Sequence, residues 1–259
     1  ILISSTTLIE QVNKNRCTML GVGPMSKVCV DSAIQLSANC KFPLMLIASR
    51  RQIDSKKMGG GYVNNWNTEE FAKYVSGQCS SENIWLCRDH GGPWQSEKEK
   101  NSGLSLEEAM VSAKQSFEVD ILSGFKVIHL DPSINFDGTL NVERALERLF
   151  ELYEFCWGVA QKYNKEIIFE IGTEEQSGST NCASELIFTL DRVTCFCLKN
   201  DIPKPTFVVV QTGTRVLETR NVGSFSSSLR VRGELAPEIQ IYQMTEICNR
   251  YGVMIKQHN

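Results

Sequence analysis

Short apolar runs recur along the chain at a nearly constant interval. They read "TMLGVG" at 18–23, "PLMLIAS" at 43–49, "NIWLCRDH" at 83–90 and "KVIHLD" at 126–131. "EIIFEIGTE" at 166–174, "TFVVVQTG" at 206–213 and "GVMIKQHN" at 252–259 continue the series. Most are continuous rather than alternating, the pattern of strands buried on both faces of a parallel sheet. Between them the period changes to that of a helix. Ser105 and Glu108 make a capping-box signature ahead of 106–121, where Leu106, Ala109, Met110, Ala113 and Phe117 share one face. The stretch 141–163 repeats the pattern with Val142, Leu146, Leu149, Tyr153, Cys156 and Trp157, aromatic residues expected in the core. Asn67 stands at the N-cap of "TEEFAKYV".

The interval predicts the architecture. His90 lies 41 positions after Ser49, Asp131 lies 41 after His90, and Glu170 lies 39 after Asp131. Such a unit is a strand plus a returning helix, and only a closed barrel or an open doubly wound sheet accommodates its repetition. Polar residues sit at the carboxyl end of nearly every run. That favours an α/β fold of the (β/α)8 TIM-barrel type, whose strand ends converge on one mouth, over a sheet with a single switch point. Seven strands are visible, so an eighth is expected beyond Asn259, and the missing initial Met suggests numbering that starts inside a longer product. Without a linker or low-complexity segment, residues 1–259 are expected to form one domain.

Composition narrows the function. The 259 residues are 42% hydrophobic and 22% charged, ordinary for a globular chain. A net charge of -3 supplies no basic footprint for nucleic acid or an anionic membrane. No apolar run approaches the length of a membrane span. Ten cysteines could suggest disulfides, but a chain of this size needs no such staples. Cys29, Cys87 and Cys156 lie in apolar patterns, and "CFC" at 195–197 lacks metal spacing. Reduced, buried thiols and a cytoplasmic location are the expectation.

The candidate chemistry lies at the strand ends. The three histidines, His90, His129 and His258, all fall at or just before one. Asp89 adjoins His90, Asp131 follows His129 by two, and Glu170 and Glu174 end the fifth run. Imidazoles with carboxylates suit a divalent metal, Zn2+ first and Mn2+ next, while nearby acids move protons. Asp89 and His90 would point to opposite sides of an ideal strand, so both reach one site only if the chain bends, and Gly91, Gly92 and Pro93 offer the means. Gly59, Gly60 and Gly61, with Lys56 or Lys57 beside them, could wrap an anionic group with backbone N–H donors or form only a flexible loop. The incomplete glycine pattern at 21–26 is no dinucleotide fingerprint, and neither a P-loop nor a GxSxG elbow occurs. "EKEK" at 97–100 reads as a solvated loop.

Several stretches together resemble one family. "RDHGGPWQ" (88–95), "GFKVIHLDPS" (124–133), "EIGTEEQSG" (170–178), "VVVQTG" (208–213) and "VMIKQHN" (253–259) follow its order. "GVGPMSKVCVDSAI" (21–34) and "GGGYVNNWNTEEFAKYV" (59–75) are similar to its early segments. It is the tagatose-bisphosphate aldolase non-catalytic-subunit-like group, related to class II ketose-bisphosphate aldolases. The resemblance implies a barrel acting on a phosphorylated ketose by aldol cleavage or retro-aldol epimerisation, or a stabilising partner of a catalytic aldolase subunit. A sugar-phosphate isomerase using paired carboxylates is the further alternative. It implies Asp89 as acid/base and His90, Glu170 and His258 as metal ligands. Glu174 and Asp131 are further acid/base candidates, and Gly59, Gly60, Gly61, His129 and Gln211 are candidates for holding substrate. Gln211 stands where catalytic aldolases place another zinc histidine. An oligomer is expected.

Overall fold

The computed structural model describes residues 5–15, 17–78, 83–136, 141–172, 183–210, 215–217, 220–222 and 237–257. The chain opens with α1 (Ser5–Asn15), β1 (Leu20–Val22), α2 (Lys27–Cys40) and β2 (Leu44–Ser49). Then come α3 (Thr68–Gln78), β3 (Ile84–Gly91), α4 (Glu97–Asn101), α5 (Leu106–Leu122) and β4 (Val127–Leu130). α6 (Val142–Lys162), β5 (Ile168–Ile171), α7 (Ala183–Asn200) and β6 (Phe207–Val209) follow. A two-stranded antiparallel pair, β7 (Arg215–Leu217) and β8 (Arg220–Val222), precedes α8 (Pro237–Tyr251) and β9 (Met254–Lys256).

Seven strands form one sheet in the order β1-β2-β3-β4-β5-β6-β9. The pairings β1 with β2, β2 with β3, β5 with β6 and β6 with β9 are parallel. The order never reverses. A doubly wound sheet reverses at its switch point, whereas a (β/α) barrel lays each strand beside the last, so this is barrel topology. Each of the seven apolar runs of the sequence contains one of these strands, and β3 runs one residue past its run to Gly91.

The described residues fall into two compact units, 1–129 with 155–168 and 130–154 with 169–259. In the first, Leu44, Leu46 and Ala48 of β2 are buried, and α5 lays Ala109, Ala113, Phe117 and Ile121 against the core. The capping box is complete: the Ser105 hydroxyl accepts the Glu108 N–H, and the Glu108 carboxylate accepts the Ser105 N–H at 2.9 Å. Asn67 makes the same reciprocal bond with Glu70 ahead of α3. In the second unit Tyr153 stacks on Phe169 at 3.9 Å and donates its hydroxyl to the Pro203 carbonyl. Phe150 stacks on Phe196 at 4.2 Å; of the aromatic residues expected in the core, Tyr153 is buried, whereas Trp157 is only partly buried and Tyr163 is exposed.

One expectation needs correcting. Residues 97–101 are the short helix α4 rather than a solvated loop, because Glu99 is buried and pairs with the Arg50 guanidinium at 2.7 Å. Arg50 also holds Asp54 at 2.9 Å and donates to the Gly92 carbonyl at 2.9 Å. A lone acidic-basic run carries no sign of a distant buried arginine. Among the described cysteines all eight are free, with Cys87, Cys156, Cys197 and Cys248 buried. Burial pushes the Cys248 thiol up to about 11 and Cys156 well above its ordinary value, so neither is a ready nucleophile.

Candidate active site

In the first unit the site grows from the carboxyl ends of β3 and β4. The strand β3 ends on Asp89, His90 and Gly91, and the bend that brings its acid and imidazole together sits on His90 itself, at φ 42°. The left-handed region is uncommon for non-glycine residues, and His is among those that tolerate it best. Gly91 has a different task from the expected bend. A Cβ there would lie 2.3 Å from the Phe117 ring and 2.7 Å from the His129 carbonyl, so only hydrogen fits. Gly91→Ala is therefore expected to destabilise the chain by about 1–3 kcal/mol through overpacking. A denaturant midpoint indistinguishable from that of the wild type would contradict this.

The side chains of Asp89, His90 and His129 form one cluster. Asp89 Oδ1 lies 3.5 Å from His129 Nδ1, and Asp89 Oδ2 lies 3.8 Å from His90 Nε2. The two imidazole rings are 5.3 Å apart. The His90 backbone N–H donates to His129 Nδ1 at 3.1 Å, so this nitrogen carries a lone pair and the neutral ring holds its proton on Nε2. His129 is fully buried, while Asp89 and His90 keep partial exposure. The resulting surface is a carboxylate and an imidazole facing outward, over a second imidazole that fixes the turn.

Carboxylate and imidazole donors are those that Zn2+ and Mn2+ accept. Two ligands of a tetrahedral Zn2+ at about 2.0–2.2 Å stand roughly 3.4 Å apart. The 3.5 Å between Asp89 Oδ1 and His129 Nδ1 matches that separation. Such an ion would take the Nδ1 lone pair from the His90 N–H. The donor set fits a divalent metal.

Beside this cluster, Arg88 serves the frame. It is fully buried, and Nε and Nη2 each lie 2.7 Å from an oxygen of Asp120, while Nη1 donates to the carbonyls of Ala48 and Ile53. Burial alone would lower its pKa, but the carboxylates around it, Asp120 first and then Asp54 and Asp89, together hold the guanidinium above its ordinary value. The glycine stretch is also locally engaged. Gly59 N–H donates to Lys56 O, Gly60 N–H to Ser55 O and Gly61 N–H to Trp66 O, and Gly59 closes the 3-10 turn Lys56–Met58 at φ 89°. An anion there would have to exchange with those bonds. Asp131 is buried, and its Oδ1 accepts the Ser133 N–H at 3.0 Å, closing a turn after β4.

In the second unit Glu170, on β5, is fully buried, and its two oxygens lie 2.6 and 2.7 Å from the Lys256 ammonium at the end of β9. Lys256 is a site residue that the sequence pattern does not single out. The signal was a lone lysine closing the apolar run "GVMIK", where an unpaired charge would be costly. Glu174, Gln211 and His258 lie outside the described residues.

The comparisons bear on the fold. A probable tagatose 6 phosphate kinase from Sinorhizobium meliloti 1021 superposes with a TM-score of 0.72 at 18% identity, over 93% of this chain and 58% of that one. The fructose-bisphosphate aldolase of Campylobacter jejuni matches at a TM-score of 0.58 and 12% identity, over 96% of this chain and 67% of that one. The YdjI aldolase of Escherichia coli K12 matches at 0.55 and 11% identity, over 100% and 73%. These likenesses show the TIM-barrel-like aldolase fold. This chain spans little more than half the length of the Sinorhizobium protein. No curated protein matches the sequence. The family model for D-tagatose-1,6-bisphosphate aldolase subunit GatZ/KbaZ-like proteins matches residues 6–190, and the chain belongs to that family.

Proposed function

We propose that the chain is a metal-dependent carbohydrate-phosphate enzyme of the class II aldolase type, acting on a phosphorylated ketose by aldol cleavage or retro-aldol epimerisation. The observation that carries the reading is the Asp89 carboxylate set 3.5 Å from His129 Nδ1 at adjoining strand ends. Carboxyl strand ends are where barrel enzymes assemble their catalytic residues. A Zn2+ or Mn2+ ion bound there would polarise a carbonyl or enediolate oxygen of the sugar. His90 and His129 are its imidazole ligands in this reading, and Glu170 and His258 are carried over from the family resemblance. Asp89 is the acid/base. Its carboxylate takes a proton from the substrate and returns it after the carbon–carbon bond has broken or reformed. In the metal-free chain His129 also positions: by accepting the His90 N–H it holds the left-handed turn that presents both side chains, a bond that an ion on Nδ1 would replace. Asp131, Glu174, Gln211 and the 59–61 loop remain proposed acid/base or substrate contacts.

A second reading has its own observation. The family is that of an aldolase subunit, and the Glu170 carboxylate is held by an internal ammonium. Both suit a stabilising partner of a catalytic aldolase that retains the sugar-phosphate mouth.

Metal analysis of the purified chain separates the two. The enzyme reading expects stoichiometric zinc or manganese, an affinity lower by at least about tenfold in His90→Ala with the fold intact, and turnover of a ketose phosphate abolished by chelation. A folded, metal-free chain that turns over no ketose phosphate but activates an added aldolase would replace it with the second.

A further inference from the structure

The Glu170–Lys256 pair carries an inference beyond that assignment. Glu170 has no solvent exposure and Lys256 very little, and the ammonium straddles both carboxylate oxygens at 2.6 and 2.7 Å. A carboxylate gripped symmetrically by a buried cation has its strongest acceptor directions already engaged. Any divalent ion that is to use Glu170 must first displace that ammonium, exchanging one cation for another on the same two oxygens. We infer that Lys256 is an internal cation that competes with a divalent metal for Glu170, and so sets how tightly this chain holds metal.

The inference rests on the metal reading proposed above. It adds a specificity-determining residue that neither the donor set nor the resemblance assigns. The physical reason is electroneutrality in a dry place. With Lys256 present the carboxylate is balanced without metal, so the net gain from binding an ion is small. Without the ammonium, a buried carboxylate lacks its counter-charge, and a divalent ion supplies it. The same lysine would thus let the barrel stay folded and intact when metal-free, as an accessory subunit requires.

The test is calorimetric titration of the full chain with Zn2+ and, separately, Mn2+, in the wild type, Lys256→Met, Lys256→Arg, Glu170→Gln and the Lys256→Met/Glu170→Gln double variant. Lys256→Met is expected to bind the ion about tenfold more tightly or better, the scale on which close buried charge pairs couple. Lys256→Arg keeps the internal cation and is expected to stay near the wild type. Glu170→Gln should erase the gain in the Met background. That non-additivity is the signature of two cations sharing one carboxylate, which a merely structural pair would not produce. The double variant removes both charges together, so it keeps the experiment readable if Lys256→Met alone folds poorly, because it must then fold and bind no more tightly than the wild type. Metal bound by the wild type but no more tightly by a folded Lys256→Met overturns the inference and leaves the metal reading standing. No binding by any folded variant overturns both.

Discussion

Asp89→Asn is expected to reduce turnover of the chain's ketose-phosphate substrate by about 10²–10⁴-fold, the range that one positioned acid/base contributes. The substitution keeps size and shape, and a partly exposed side chain needs no new packing. An amide cannot accept a proton and shuttle it back at neutral pH. Its neutral oxygen is also a poorer partner for a cation facing His129 Nδ1. Steady-state kinetics across a panel of ketose phosphates, with circular dichroism to confirm the fold, reads the effect. If Asp89→Asn retains more than a tenth of the wild-type rate, the proton-transfer role fails. If neither protein turns over sugar phosphate while both activate a separate aldolase equally, the accessory-subunit reading takes its place.

Arg88→Met should be the most destabilising single substitution near the site, by about 3–5 kcal/mol. Three elements depend on that guanidinium: α5 through Asp120, the end of β2 through the Ala48 carbonyl, and the loop after it through the Ile53 carbonyl. Methionine fills most of the volume but leaves a buried carboxylate without its partner and two carbonyls without donors. Urea denaturation measures the loss. A paired Arg88→Met/Asp120→Leu change removes the stranded charge, and it should recover a large part of the stability. A loss below about 1 kcal/mol in the single variant would mean that the pair contributes little to the frame.

The contrast between neighbours 88 and 89 shows how much of the site was legible beforehand. "RDHGGPW" stands out in the sequence as polar residues on an apolar strand, and the pattern gives all three charged or ionisable groups the same prominence. Arg88 nevertheless turns into the core to meet Asp120, while Asp89 faces His90 and His129. Strand alternation predicts that Arg88 and Asp89 face opposite sides, but not which side is the mouth. The turn was anticipated, although its left-handed residue is His90 rather than a glycine. Gly91 is needed instead because Phe117, 26 positions further on, closes the space above it.

The helix caps were readable because their partners are three residues apart. Ser105 with Glu108 and Asn67 with Glu70 lie within one turn, so local order alone shows the bonds. Arg50 and Glu99 are 49 positions apart, and nothing local announces them to each other. The same distance effect hid Lys256, whose carboxylate lies 86 positions earlier in the chain.

By itself, then, the sequence determined the seven strands of the sheet, the helices α3, α5 and α6, the strand-and-helix repetition and the membership of His90, His129 and Asp89 in a strand-end polar set. Those follow from short-range periodicity, where the burial of one face dictates residue type. Only the tertiary structure decided the unreversed strand order, the pairing of Asp89 with His129, the engagement of the glycine-loop N–H groups and the seating of Lys256 on Glu170. Each of these joins groups that the chain separates but folding brings within a few ångströms, where electrostatics and steric exclusion act through space and leave no periodic trace in the order of residues.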